Sequence, residues 1–211
     1  TVVGAVRHPL ATTDFSSFLL QAQSSGAKVI GLANAGLDTA NAVLQASEFG
    51  IVQSGQRLAA LLFTLSEVHG LGLQAAQGLT LTESFYWNRD DESREFGRRF
   101  FERTQRMPNM IHAGTYSGVM HYLKAIQEAG TDEGAAVAAK MKELPVEDVF
   151  ARGARVQENG RLMSDAYLME VKSPDESQEP WDYYNVLSTV PGDEAYLSLE
   201  ESGCDTSGWA Q

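Results

Sequence analysis

Glu67 and His69 follow the apolar run of residues 58–65, and Asn34 follows another apolar run at residues 28–32. A run as short and as uniformly apolar as 58–65 reads as a strand buried on both faces that ends at the polar pair Ser66 and Glu67. In an open α/β sheet, ligands bind at the carboxyl ends of such strands, which would set Glu67 and His69 at a ligand crevice. Asn34 holds the same position after its own strand. The ordinary alternatives are a solvated loop acid for Glu67 and a turn former for Asn34. A further strand-like run, residues 78–82, empties into Phe85, Tyr86 and Trp87, three adjacent aromatics that no regular element buries on one face. Such residues line a wall or cross between two bodies. Tyr86 and Trp87 either stack on a ligand or pack against a neighbouring lobe.

Motifs of catalysis are absent from the sequence. It contains no GxSxG, P-loop, HExxH or CxxC, and no GxGxxG after a strand. His8, His69, His112 and His121 lack metal-ligand spacing, and His121 falls in mid-helix, where packing or surface exposure is its expected role. No enzyme activity, metal or cofactor is therefore expected.

The elements that would position these residues come from an ordinary globular composition, 43% apolar and 21% charged over 211 residues, enough to bury a core in one or two domains. The formal net charge of −12, with no Lys/Arg cluster to offset it, argues against nucleic acid and against an anionic membrane surface. No apolar run approaches the roughly 20 residues of a membrane span. Cys204 is the single cysteine, so an internal disulfide is impossible; it is a plain thiol, or it pairs with a cysteine in a missing segment. The chain shows no signal peptide and opens at Thr1 inside an apparent strand, residues 2–7, so it reads as a processed product or a fragment.

From residue 1 to 78 the pattern is strand, helix, strand, helix, strand. Thr12, Thr13 or Asp14 can cap a helix carrying Phe15, Phe18, Leu19 and Ala22, which Gly26 ends. Residues 28–32 form the next strand, and Asp38 caps a helix through Phe49, with Gly50 after it. This alternation implies βαβ units and a parallel sheet with right-handed crossovers. Beyond the aromatics, Asp90, Asp91 and Glu92 open a helix bearing Phe96, Phe100 and Phe101, a placement suited to the helix dipole. A longer helix spans about 113–129, with Tyr116, Val119, Met120, Leu123 and Ile126 on its apolar side, and another spans about 132–143. Residues 150–156 and 166–171 read as strands flanking the Asn159-Gly160 turn. Residues 173–180 read as a polar surface loop, and the tail from Trp181 shows no clear period.

The order of four stretches, DFSSFLLQAQSSGAKVIGLANAG, GLTLTESFYWNRD, AGTYSGVMHYLKAIQEAG and QENGRLMSDAYLMEV, resembles the periplasmic solute-binding proteins of ABC importers, particularly those like the leucine/isoleucine/valine-binding protein. The likeness runs over nearly all of the chain. It implies an α/β fold of the type I periplasmic-binding-protein kind, with parallel sheets flanked by helices in two lobes joined by three crossings, each lobe incomplete here. Residues 1–84 would belong to the C-terminal lobe, 85–164 to the N-terminal lobe, and 165–211 to the return and tail. The first segment of the N-terminal lobe and the opening strand and helix of the second lobe would be missing. The resemblance implies a signal sequence removed in the periplasm, a small amino acid or related carboxylate as ligand, and a membrane permease and the missing N-terminal segment as partners. It makes Asn34, Glu67, His69, Tyr86, Trp87 and His112 the candidate ligand-binding residues, with Glu67 as partner of a ligand ammonium. Where the family can place a tyrosine this chain has Asn34 and Ala35, which weakens an assignment to leucine, isoleucine or valine. The alternative of another class is a ligand-sensing receptor or regulatory module of the same fold.

Overall fold

A computed structural model describes residues 1–205. The chain divides into two compact units, one of Thr1–Glu83 with Leu168–Ser188, the other of Ser84–Tyr167 with the tail from Thr189. The polypeptide therefore passes between the units three times.

The first unit is built on βαβ units. Helix α1 (Ser16–Ser24) leads to strand β1 (Val29–Leu32), α2 (Gly36–Glu48), β2 (Arg57–Ala60), α3 (Leu65–Leu71), α4 (Leu73–Ala76) and β3 (Thr80–Glu83). β1 pairs in parallel with β2, and β2 with β3. Two strands from later in the chain, β6 (Ala166–Val171) and β7 (Tyr184–Val190), complete a five-stranded sheet of order β1-β2-β3-β6-β7. Burial alternates along β1 and β2: Ile30, Leu32, Leu58 and Ala60 are buried, while Val29, Gly31 and Arg57 are exposed. Asp14, one of the expected caps, accepts from the Ser16 N–H at 2.9 Å.

The second unit is mainly helical. It contains α5 (Asp91–Thr104), α6 (Met110–Ala129) and α7 (Gly134–Glu143), then a two-stranded antiparallel sheet of β4 (Val146–Glu147) and β5 (Arg152–Ala154), and the short α8 (Gly192–Ala195). Asp90 caps α5 by accepting from the Ser93 N–H at 2.8 Å. Glu133 caps α7 by accepting from the Ala135 and Ala136 N–H groups.

Four expectations are corrected. The run 58–65 is not one strand buried on both faces: β2 stops at Ala60, Leu61 and Leu62 are exposed, and Leu65 already begins α3. The cause is a capping box, in which Thr64 caps the helix and Glu67 three residues on returns the bond. Residues 2–7 form no strand. Val2, Val3 and Val6 are exposed, and a strand with no neighbour to complete its ladder has nothing to offset its loss of freedom. β5 pairs with β4 rather than with residues 166–171, and the Asn159-Gly160 turn closes only the single bridge between Val156 and Leu162. The tail, without a visible period, still supplies β7.

Helix α6 also inverts its expected facing. Its buried positions are Ala113, Ser117, His121 and Ala125, whereas Tyr116, Val119 and Leu123 are exposed. Small side chains at a spacing of four let α7 approach closely, and His121 Nε2 donates to the Met141 carbonyl of α7 at 2.8 Å.

Candidate functional site

In the first unit, the carboxyl ends of β1, β2 and β3 lie along one edge of a parallel sheet, so the segments that follow them share that edge. Asn34, two residues past β1, is half-buried and held on both sides: its amide nitrogen donates to His8 Nε2 at 3.1 Å, and its carbonyl accepts from the Thr39 hydroxyl at 2.9 Å. Nearby, Asp38 in the first turn of α2 accepts from the Ala11 N–H at 3.2 Å, which pins the segment leading out of residues 2–7 to the same end of the sheet.

Glu67 is not on the loop directly after β2 but at the third position of α3. Its Oε2 accepts from the Thr64 N–H at 2.7 Å, and Oε1 is left as an acceptor. His69, in the last turn of α3, is exposed at its edge and stacked on Trp181 with centroids 3.7 Å apart and planes within 10°; its Nδ1 shares a hydrogen bond with the Tyr183 hydroxyl at 2.8 Å. Trp181 itself sits at φ 73°, in the left-handed region a bulky side chain rarely adopts, so the stack is held by its surroundings. Asn34 and Glu67 thus follow adjacent strands, and His69 is committed to a stack one turn further along.

The remaining candidates fall in the second unit. Tyr86 and Trp87 are each 3% exposed, their rings 6.2 Å apart, and a Cβ on Gly97 of α5 would stand 3.1 Å from Trp87 Cβ. Both rings are packed into this unit. His112 lies in the first turn of α6, where its Nδ1 accepts from the Asn109 N–H at 3.2 Å in a second capping box; its ring lies 5.0 Å from that of Phe100.

Burial first, and then the charge of Arg106, hold the His112 imidazole below its ordinary pKa. The unfolded chain then binds the extra proton more readily than the folded one. This contribution to stability is full above the ordinary histidine pKa of about 6.5 and is lost as pH falls through the depressed folded value. Protonation also removes the acceptor that Asn109 N–H uses. We expect His112→Gln, which keeps a capping oxygen, to abolish this acid-side decline below about pH 6.5. Thermal melts across that range measure it, and an unchanged decline in the variant would contradict it.

Two functional groups escaped the sequence reading. Glu83, the last residue of β3, is 1% exposed and accepts from the Leu65 N–H at 2.8 Å and the Tyr184 hydroxyl at 2.9 Å. Its signal was an acid on the inward phase of a strand, at TLTE. In the second unit, Arg89 donates to Asp90, to the Tyr167 hydroxyl at 2.6 Å and to the Val149 carbonyl at 2.8 Å. Burial alone would raise the Asp90 carboxyl, but the Ser93 N–H, Arg89 and Arg152 outweigh it and pull it down to about 2.

Among the described residues, no group of His, Cys, Asp and Glu has the arrangement of a metal site, and no helix is long and apolar enough to cross a membrane. Cys204 is an exposed free thiol.

No curated protein matches the chain. Among solved structures, a periplasmic binding protein from Burkholderia mallei is 50% identical with a TM-score of 0.86, the match covering 94% of this chain and 52% of that one. A branched chain amino acid ABC transporter periplasmic ligand-binding protein from Burkholderia xenovorans is 38% identical with a TM-score of 0.87, covering 94% of this chain and 53% of that one. An amino acid ABC transporter substrate-binding protein from Pseudomonas fluorescens, 23% identical with a TM-score of 0.82 over 99% of this chain and 53% of that one, shares the fold. The chain thus spans about half the length of the structures it matches. The family model described as periplasmic binding protein matches residues 1–178, and with the α/β architecture and these relatives it shows that the chain belongs to the periplasmic binding proteins.

Proposed function

We propose that this chain is part of the solute-binding component of an ABC importer, acting outside the cytoplasm, and that the whole protein holds a small amino acid or related carboxylate between two lobes and delivers it to a membrane permease. The first unit is then part of the C-terminal lobe and the second part of the N-terminal lobe. The work is binding and closure: ligand shifts an open and closed equilibrium by its differential affinity, with no turnover.

The observation that carries the reading is the pairing of Asn34 and Glu67 behind adjacent parallel strands, with Glu67 anchored through one oxygen and holding the other as an acceptor. Membership of the family and the printed role of the Burkholderia xenovorans relative support the ligand class. In this reading Glu67 Oε1 receives the ligand ammonium, Asn34 offers polar contact, and His69 steadies α3. Tyr86 and Trp87 support the other lobe from within, and His112 closes the α6 cap at its surface.

Glu67→Gln tests it cleanly, because a glutamine oxygen still completes the capping box while the charge is gone. In the protein at the length of its relatives, a charge-assisted hydrogen bond contributes on the order of 1.5–3 kcal/mol, so the variant should bind amino acids about ten- to a hundredfold more weakly. Calorimetry with branched-chain and aromatic amino acids and with their deaminated acids reads this directly. Deaminated acids that bind as well as the amino acids would remove the ammonium role of Glu67.

A further inference from the structure

The two nitrogens of the His8 ring settle how the Asn34 amide is turned. Nδ1 lies 2.8 Å from the Pro9 carbonyl oxygen, which only accepts, so Nδ1 carries a proton. In the neutral imidazole Nε2 is then a bare acceptor, and it stands 3.1 Å from the Asn34 amide nitrogen. A bare acceptor takes the N–H side of an amide and repels its carbonyl side. Thr39, whose hydroxyl meets the Asn34 carbonyl oxygen at 2.9 Å, serves either orientation equally, because a hydroxyl both donates and accepts. The choice between the two orientations of Asn34 therefore belongs to His8.

Packing holds the ring where it can make that choice. His8 is half-buried, its ring edge-on to that of Phe15 with centroids 4.8 Å apart and 6.2 Å from that of Phe18. Phe15 belongs to the core, at 3% exposed. The chain from Ala11 to Phe15 is in turn bound along one face of α2 by side chains three and four residues apart. Asp38 accepts from the Ala11 N–H, and Asn41 donates to the Thr12 carbonyl at 3.3 Å. Gln45 donates to the Thr13 carbonyl at 2.8 Å and accepts from the Phe15 N–H at 2.7 Å. Thr39 is carried by the same helix, so α2 fixes both partners of the Asn34 amide.

We infer that His8 is a positioning residue of the solute site: as the neutral tautomer protonated at Nδ1, it holds the Asn34 amide nitrogen toward itself and the carbonyl oxygen toward Thr39. An asparagine amide has two N–H donors and two acceptor lone pairs, and these partners use one of each. Asn34 keeps one donor on the nitrogen that faces His8 and one acceptor on the oxygen that faces Thr39. The spare N–H takes a carboxylate or carbonyl oxygen of the solute. A side chain fixed beforehand also spares binding the loss of its freedom. The effect on solute rests on the reading of Asn34 as a ligand contact; the orientation of the amide does not.

Nuclear magnetic resonance and calorimetry test it in the protein at the length of its relatives. Long-range correlation of ring protons and nitrogens should place the proton of the neutral His8 ring on Nδ1, and a proton on Nε2 instead would overturn the proposal. Leucine and phenylalanine serve as calorimetric probes. His8→Phe keeps a ring against Phe15 and Phe18 but removes the acceptor, so binding should weaken about three- to tenfold. His8→Gln, whose carbonyl accepts the same N–H, should recover most of that loss; a glutamine variant no better than the phenylalanine one would overturn the proposal, since the acceptor would then count for nothing. Asn34→Ala should weaken binding by itself, and in that background His8→Phe should change it no further, because one residue acts through the other. A loss that persists there would make His8 a support of its own segment and not of Asn34. The two measurements fail separately. Probes that do not bind the parent protein remove the functional reading, and binding untouched in Asn34→Ala removes the ligand role of both residues, while the ring proton still decides the orientation.

Discussion

Glu83→Ala is expected to destabilise the first unit by about 3–5 kcal/mol, the largest effect of any single substitution considered for that unit. The carboxylate is almost wholly buried and receives hydrogen bonds from groups that have left water themselves, among them the Leu65 N–H at the first turn of α3 and the Tyr184 hydroxyl on β7. Truncation takes the acceptor away from the Leu65 N–H and the Tyr184 hydroxyl, and a buried donor that loses its acceptor costs about 1–3 kcal/mol on top of the cavity left by the side chain. The same residue joins β3, α3 and β7, so its loss should also loosen the α3 N-terminus and with it the Glu67 capping box. Urea denaturation followed by circular dichroism measures the change. Tyr184→Phe removes one of the two donors without stranding the other and should cost much less, about 1 kcal/mol. Equal losses for the two variants would show that the Leu65 bond contributes nothing.

The sequence made the βαβ part of the first unit legible because its period alternates cleanly: Ile30 and Leu32 face inward in β1, while Ala42, Val43 and Ala46 recur at helical spacing in α2. It misjudged residues 58–65 for a local reason. Phe63 and Leu65 are as apolar as the strand before them, and the capping signature Thr64-Leu65-Ser66-Glu67 lay hidden under an unbroken apolar run. Glu83 went unremarked because an acid usually ends a strand at the surface, and only tertiary structure supplies the Tyr184 hydroxyl, 101 residues away, that accounts for its burial. β7 was invisible for the opposite reason. As the outermost strand it exposes Val186 and Leu187 beside Ser188 and Thr189, so no face alternates. In α6 the apolar stripe drew attention away from the Ala113, Ser117, His121 and Ala125 stripe, whose value is close approach rather than hydrophobicity.

Arg89→Met is the corresponding test of the second unit and is expected to cost about 2–4 kcal/mol. The side chain is 13% exposed, and its guanidinium spends its donors in three directions, on Asp90, on Tyr167 at the start of β6 and on the Val149 carbonyl between β4 and β5. It also lies over the rings of Phe85 and Tyr167, with its carbon 5.6 and 5.1 Å from their centroids, so methionine replaces the packing but none of the bonds. Arg89→Lys should recover less than half of the loss, because one ammonium on a flexible stem cannot reproduce a planar fork. Acid stability separates the charge from the packing. Asp90 titrates at about 2 in the folded protein, below the ordinary carboxylate near 3.9, so its contribution is complete above about pH 4 and disappears as pH falls toward 2. Arg89 is one of the groups holding it down, so in Arg89→Met the stability lost between pH 4 and 2 should shrink. Denaturant midpoints at pH 5, 4, 3 and 2.5 measure that slope, and an identical slope in the two proteins would assign the depression of Asp90 to Ser93 and Arg152 alone.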